Sequence, residues 1–165
     1  ALEKNNNKTI QWRLTIRPLP EAFPGLQFSY AGAYGKGNTS LYPDWDTHTG
    51  FVSFESSRVV FTGQVFKSLG NHEGYLADPL GNSYRAKGWN SFIEIKFLHN
   101  RFSLFGSYGL FCYTDSLGVQ TEKTREIVGV AYHIFKKNKF VIDLNRGRTN
   151  GACKGVLEVM FELAL

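Results

Sequence analysis

The feature that most constrains this chain is an alternation of apolar and polar residues with a period of two, which recurs from residue 9 onward. It is clearest over 155–165, where every second position from Leu157 is apolar. Strict alternation over eight or more residues is typical of a β-strand with one apolar and one polar face. No segment keeps a helical period of comparable length. The sequence therefore predicts an all-β fold.

Nine strands are predicted. Their boundaries are 9–17, 26–35, 48–55, 57–67, 89–98, 101–113, 124–135, 139–147 and 155–165. Residues 1–8 are expected to form an N-terminal extension, and 9–165 a single β-barrel domain. Strands of soluble proteins usually have about five or six residues, whereas a tilted membrane-crossing strand takes about 9–11. The predicted lengths favour the membrane.

The connections between these strands favour the same interpretation. Short connections at 55–57, 98–100 and 136–138 alternate with longer ones. The longer connections are 36–47, 68–88, 114–123 and 148–154. Tight turns at one end and long loops at the other are typical of outer-membrane barrels. We therefore expect an up-and-down antiparallel transmembrane β-barrel with about 8–10 strands in this chain, complete or part of a larger barrel.

The polar positions of the alternation supply the candidate functional residues. The pore-lining candidates are Arg13, Arg17, Arg58, Gln64, Glu94, Lys96, His133, Asp143, Glu158 and Glu162. Cations on the wall of a pore would attract anions. In a barrel of about eight strands, the same charges would instead pair with one another and fill the interior. The number of strands therefore decides between a channel and a closed barrel.

Several segments resemble a known family. Residues 12–20 (WRLTIRPLP) and 24–30 (PGLQFSY) are similar to the arginine-containing strand, proline turn and glycine-rich strand of Gram-negative porins. Residues 102–108, 127–133 and 140–144 are similar to the closing strands of the phosphate-selective porin type. Those porins are considerably longer, so the resemblance implies a C-terminal part or a shortened relative. It also implies passive ion transport across a bacterial outer membrane.

Other chemistry is weakly represented. The four histidines are scattered, and no serine or carboxylate stands at a recognisable motif spacing, so we expect neither an enzyme, nor a cofactor, nor a metal site. The net charge is +5, but lysine and arginine are dispersed, which argues against nucleic-acid binding. Cys112 and Cys153 allow one disulfide in an oxidising exterior, and two free thiols equally well.

The sequence thus predicts a porin-like passive channel for small solutes with a mild anion preference. Its expected partners are membrane lipid, small anionic solutes, and a second copy or partner chain that completes the barrel. Two alternatives stay open: a narrow, non-conducting barrel acting as an anchor or sheath for a partner, and a soluble lipocalin-like barrel that binds an apolar ligand. In the soluble case, the apolar face would point inward.

Overall fold

The computed structural model describes residues 8–135 and 138–163, and it confirms the all-β prediction. The nine strands are β1 (Ile10–Ile16), β2 (Leu26–Lys36), β3 (Asp44–Glu55), β4 (Val59–Leu69), β5 (Arg85–Phe97), β6 (Phe102–Thr114), β7 (Gln120–Phe135), β8 (Asn138–Thr149) and β9 (Ala152–Glu162). Each corresponds to one predicted strand. Of the predicted N-terminal extension, residues 1–7 lie outside the described part. No helix in the described ranges is long and apolar enough to cross a membrane.

Every strand pairs antiparallel with the next one along the chain, so the nine strands form one sheet in sequence order. Within the described residues β1 and β9 have no strand partner on their outer sides, and the sheet is not closed. Because the strand count is odd, β1 and β9 run in the same direction. Joining them directly would create a parallel pair in an otherwise antiparallel sheet.

The connections differ from the predicted pattern. At one end they span 17–25, 56–58 and 98–101, and a fourth lies at 136–137, outside the described residues. At the other end they span 37–43, 70–84, 115–119 and 150–151. The predicted long connection at 148–154 is wrong, because Asn150 and Gly151, both with positive φ, make a two-residue turn. Asn-Gly favours such hairpins, since both residues tolerate positive φ. Only two connections at this end are long.

Those two long connections, 37–43 and 70–84, pack against each other, and we call them together the loop cap. The amide of Asn38 donates to the carbonyl of His72 (3.0 Å), and the hydroxyl of Ser83 donates to the carbonyl of Asp44. The ring of His72 meets Trp45 edge-on, with 6.2 Å between ring centroids. One hydrogen bond between the two connections and one from 70–84 to the first residue of β3 hold the cap at one end of the sheet.

The two faces of the sheet differ in burial. On one face Ser103 is fully buried, and Ala131 and Asp143 are 4% exposed; on the other Leu14 is 67% and Leu157 68% exposed. Among the described residues no second layer covers either face, so crowding on one side indicates curvature toward it. We call the crowded side the inner face and the exposed side the outer face.

Candidate functional site

The inner face carries most of the predicted pore-lining residues. The cross-strand registers place on it Arg13, Gln64, Glu94, Lys96, His133, Asp143, Glu158 and Glu162. Arg17 and Arg58 lie instead in the connections 17–25 and 56–58, beyond the ends of the strands. They flank the inner face at the end of the sheet opposite the loop cap.

A hydrogen-bonded group lies where β5, β6 and β7 meet. The Nε2 atom of His133 is 3.3 Å from Ser103 Oγ and 3.9 Å from Glu94 Oε1. A serine hydrolase uses one imidazole nitrogen for the serine and the other for the carboxylate. Here both neighbours approach the same nitrogen, and Ser103 is fully buried. This geometry links three strands and does not activate a nucleophile.

Carboxylates gather beside that group, around an open hollow of about 650 Å³ that we call the acidic hollow. Its carboxylates are Glu94, Asp143, Glu158 and Glu162. Asp143 and Glu158 are direct cross-strand partners, an arrangement that like charges disfavour. Lys139 forms an ion pair in this hollow, with its Nζ 3.0 Å from Glu162 Oε2.

Two other inner-face cations are hydrogen-bonded to neutral side chains. Arg13 donates to Ser29 Oγ (3.1 Å) and Thr15 Oγ1 (3.2 Å), and Arg125 donates to Asn145 Oδ1 (3.0 Å). None of the ion pairs found among the described residues involves either arginine.

Two inner-face cations, Lys123 and Arg125, are absent from the pore-lining candidates predicted from the sequence. Lys123 lies above the ring of Tyr113, 5.8 Å from its centroid. Lys123 was omitted because β7 begins at Gln120 and not at residue 124 as predicted, whereas Arg125 lay inside the predicted strand and was not assigned to the inner face. The alternation extended backward from Ile127 would have placed both on the inner face.

The inner face is also more aromatic than predicted. Phe66 stacks on Phe111 with 6.0 Å between ring centroids, and Phe92 lies 6.3 Å from Phe105. Over β4–β6 the inner face therefore carries aromatic rings beside the polar candidates. These residues occupy positions where the alternation called for polar side chains, and the sequence already showed the exception. Large rings fill the space that curvature leaves between neighbouring side chains.

The outer face carries a band of exposed apolar side chains on eight of the nine strands, and on β3 the outer-face Val52 and Phe54 are half-buried. Its members include Ile10, Leu14, Ile16, Phe28, Val65, Ile93, Ile95, Leu104, Val128, Val130, Ile142, Leu144, Leu157 and Val159. On β9 the band covers residues 157–163, which is roughly 23 Å of extended chain. Strands of membrane barrels are tilted by about 35–45°, so this length corresponds to roughly 16–19 Å of an apolar height of about 25 Å.

The apolar band ends toward the loop cap in a definite boundary. Tyr30, Trp89 and Tyr108 lie near that limit. The next outer-face positions on β4 and β5 are Lys67 and Lys87, which are direct cross-strand partners. Amphipathic rings between apolar and charged side chains are the arrangement found at membrane–water interfaces.

The cysteines do not form the disulfide that the sequence allowed. Both thiols are free, with Cys112 buried on β6 and Cys153 exposed on β9. Two strands separate β6 from β9, so three strand spacings put the Cα atoms roughly 14 Å apart. A disulfide requires Cα atoms within about 7 Å. The cross-link is excluded by position in the sheet.

No family model, curated protein or solved structure matches this chain. Across residues 8–135 and 138–163, no cluster of three or more His, Cys, Asp or Glu side chains is placed to hold a metal ion.

Proposed function

We propose that this sheet is part of the wall of a bacterial outer-membrane β-barrel of porin-like character, which passively admits small solutes with a mild anion preference. The observation that carries the proposal is the exposed apolar band on the outer face, bounded by aromatic and charged residues. Soluble monomers rarely expose contiguous apolar patches above a few hundred Å². A lipocalin-like protein would hold these side chains inside.

The proposal requires partners for the two edge strands. Unpaired backbone groups in hydrocarbon are costly, so membrane-spanning sheets must close. β1 and β9 are both edges within the described part of the chain. Additional strands from a longer chain, a second copy or a partner chain would pair with them. A barrel of 16 or more strands leaves an aqueous channel, which suits a solute pathway.

The mild anion preference rests on how inner-face charges are distributed. Lys123 and Arg125 lie near the loop-cap end of β7, and Arg13 lies on β1, and none of the three is in an ion pair found among the described residues. The carboxylates concentrate in the acidic hollow, which lies farther from the loop cap. An anion entering from the loop cap meets cations first. The acidic hollow limits the preference that these cations create.

Two measurements test the proposal in sequence. The full chain should require detergent for extraction and should migrate differently on a gel before and after heating. Reconstituted in a planar bilayer, it should then give single-channel conductance with an anion-selective reversal potential in a salt gradient. Extraction without detergent would contradict the membrane assignment, and an inserted protein without conductance would contradict the channel.

A second function is favoured by the inner-face aromatics. Phe66, Phe92, Phe105 and Phe111 give β4–β6 an apolar surface better suited to a packed polypeptide than to bulk water. The barrel would then be a non-conducting sheath around a partner. The conductance experiment separates the two, because a sheath is silent with its partner bound and conducts only after the partner is removed.

A further inference from the structure

Three basic side chains lie in a row on the outer face, at the upper edge of the apolar band. His48 on β3 is the cross-strand partner of Lys67 on β4, and Lys67 is the partner of Lys87 on β5. Like charges directly opposite each other destabilise a sheet. No carboxylate among the described residues forms an ion pair with either lysine. The row therefore has an uncompensated positive charge.

A groove runs across this row. Below it lies an apolar hollow of about 440 Å³, lined by Tyr30, Gly50, Val65, Trp89 and Leu110. Above it lies a more polar hollow of about 660 Å³, whose lining includes Asp46 and Arg85. His48, Lys67 and Lys87 line both hollows. Polar and apolar compartments thus meet at the basic row.

The geometry of His48 is fixed by the aromatic side chains around it. Tyr30 Oη lies 2.7 Å from His48 Nδ1, and the two rings stack with centroids 6.1 Å apart. Trp12 meets the same imidazole edge-on at 5.8 Å. Trp12 itself lies over Gly32, where an added Cβ would be 2.1 Å from its ring. One end of the row is therefore held rigidly.

We propose that this groove binds a phosphorylated lipid, with the phosphate between Lys67 and Lys87 and an acyl chain in the apolar hollow. The inference rests on the proposed function, because it requires the outer face to contact a bilayer. Charge complementarity selects the headgroup, since a phosphate provides the anion that two opposed lysines lack. The apolar hollow selects a lipid over free phosphate, which would leave that hollow empty.

The test uses the full chain in nanodiscs of phosphatidylcholine containing a minor fraction of phosphatidic acid. Native mass spectrometry after release should show one retained phosphatidic acid, in preference to phosphatidylcholine. Lys67→Gln with Lys87→Gln should lower that preference on the order of tenfold. Lys154→Gln is the control, because Lys154 lies on the inner face of β9 and its loss should leave the lipid preference unchanged.

Two further arms identify the ligand. Gly50→Leu should fill the apolar hollow and weaken lipid retention while both lysines stay in place. Inorganic phosphate at millimolar concentration should not displace the lipid, and displacement would show a simple anion site. Equal retention of both lipids by an inserted, heat-modifiable protein would overturn the lipid site alone. Failure of the chain to enter nanodiscs would overturn this inference together with the membrane assignment.

Discussion

The two faces of the sheet differ in burial and in hydrogen bonding, although they are made from alternate residues of the same strands. Ser103 is fully buried on the inner face, while its neighbour Leu104 is 48% exposed on the outer face. Inner-face polar groups are bound by one another, as in the Ser103, His133 and Glu94 group. Outer-face apolar groups have no comparable cover in the described chain. Most inner-face polar groups therefore have partners within the sheet, with Trp45 Nε1 and Asp143 Oδ1 as buried exceptions among the described residues, whereas the outer-face apolar side chains stay exposed.

A charge placed in the outer apolar band tests whether this face contacts hydrocarbon. Leu104→Arg should reduce the stability of the membrane-inserted protein by about 2–4 kcal/mol, because arginine on the lipid face of a barrel strand is costly near the bilayer midplane. Urea titration of the protein in liposomes, followed by heat-modifiable migration, measures the change. Thr124→Arg is the control, since Thr124 lies on the same face beyond the band. Equal tolerance of both variants would show that the band does not contact hydrocarbon.

A smaller effect should follow from adding one methyl group to each face. At Gly129 on the inner face a Cβ would lie 2.4 Å from Phe105 Cζ and 2.6 Å from Asp143 Cβ. At Gly106 on the outer face the nearest atom would be 3.8 Å away. Gly129→Ala should cost about 1–3 kcal/mol through overpacking, and Gly106→Ala close to nothing. Denaturant unfolding in detergent measures both, and similar costs would remove the distinction in crowding.

Inner-face charge should affect selectivity more than stability. Arg13→Ala with Arg125→Ala should lower the anion-to-cation permeability ratio by about twofold, because both side chains lie on the proposed solute pathway. Reversal potentials in a salt gradient measure the ratio. Arg17→Ala with Arg58→Ala removes the same charge from the connections and should have a smaller effect. Unchanged reversal potentials in the first variant would exclude Arg13 and Arg125 from ion selection.

The sequence was sufficient for the strands because their signal is local. The period of two identifies each strand and assigns each residue to a face without knowledge of its neighbours, which is why eight of ten lining candidates share the inner face. Strand boundaries depended on weaker signals. The dipeptide Asn150-Gly151 is typical of a two-residue hairpin turn. The predicted loop over 148–154 did not take this into account.

Features that depend on register could not be obtained in this way. Lys67 and Lys87 are twenty positions apart, and only the pairing of β4 with β5 across the connection 70–84 places them side by side. The choice between a disulfide and two free thiols needed the same information, since Cys112 and Cys153 are near the same end of the sheet but three strand positions apart. Proximity across a sheet is set by register and strand order, neither of which the alternation determines.

The smallest expected effect concerns the loop cap, where a carboxylate accepts hydrogen bonds from residues of its own connection. Asp78 Oδ1 accepts the amides of Leu80 (2.9 Å) and Asn82 (2.8 Å), and Oδ2 accepts the Asn82 side-chain amide (2.9 Å). Hydrogen bonds from Asn82, above all from its side chain, lower the pKa of Asp78 below the ordinary value of 3.8. The ionised carboxylate therefore stabilises the loop above pH 3.8, and this contribution is lost as the pH falls through the lower folded-state pKa.

Amide hydrogen exchange, corrected for intrinsic rates, tests this linkage at Leu80 and Asn82. In the unmodified chain, protection of both amides should persist from pH 7 to about pH 4 and should decrease as the pH falls below the ordinary aspartate pKa of 3.8. Asp78→Asn should reduce protection modestly at pH 7 and remove its pH dependence, because the ionisable acceptor is gone. Glu73→Gln, in the same connection, is the charge-matched control and should leave the profile unchanged. Identical profiles for Asp78→Asn and the unmodified chain would show that the carboxylate does not order the cap, and that local satisfaction is confined to the inner face of the sheet.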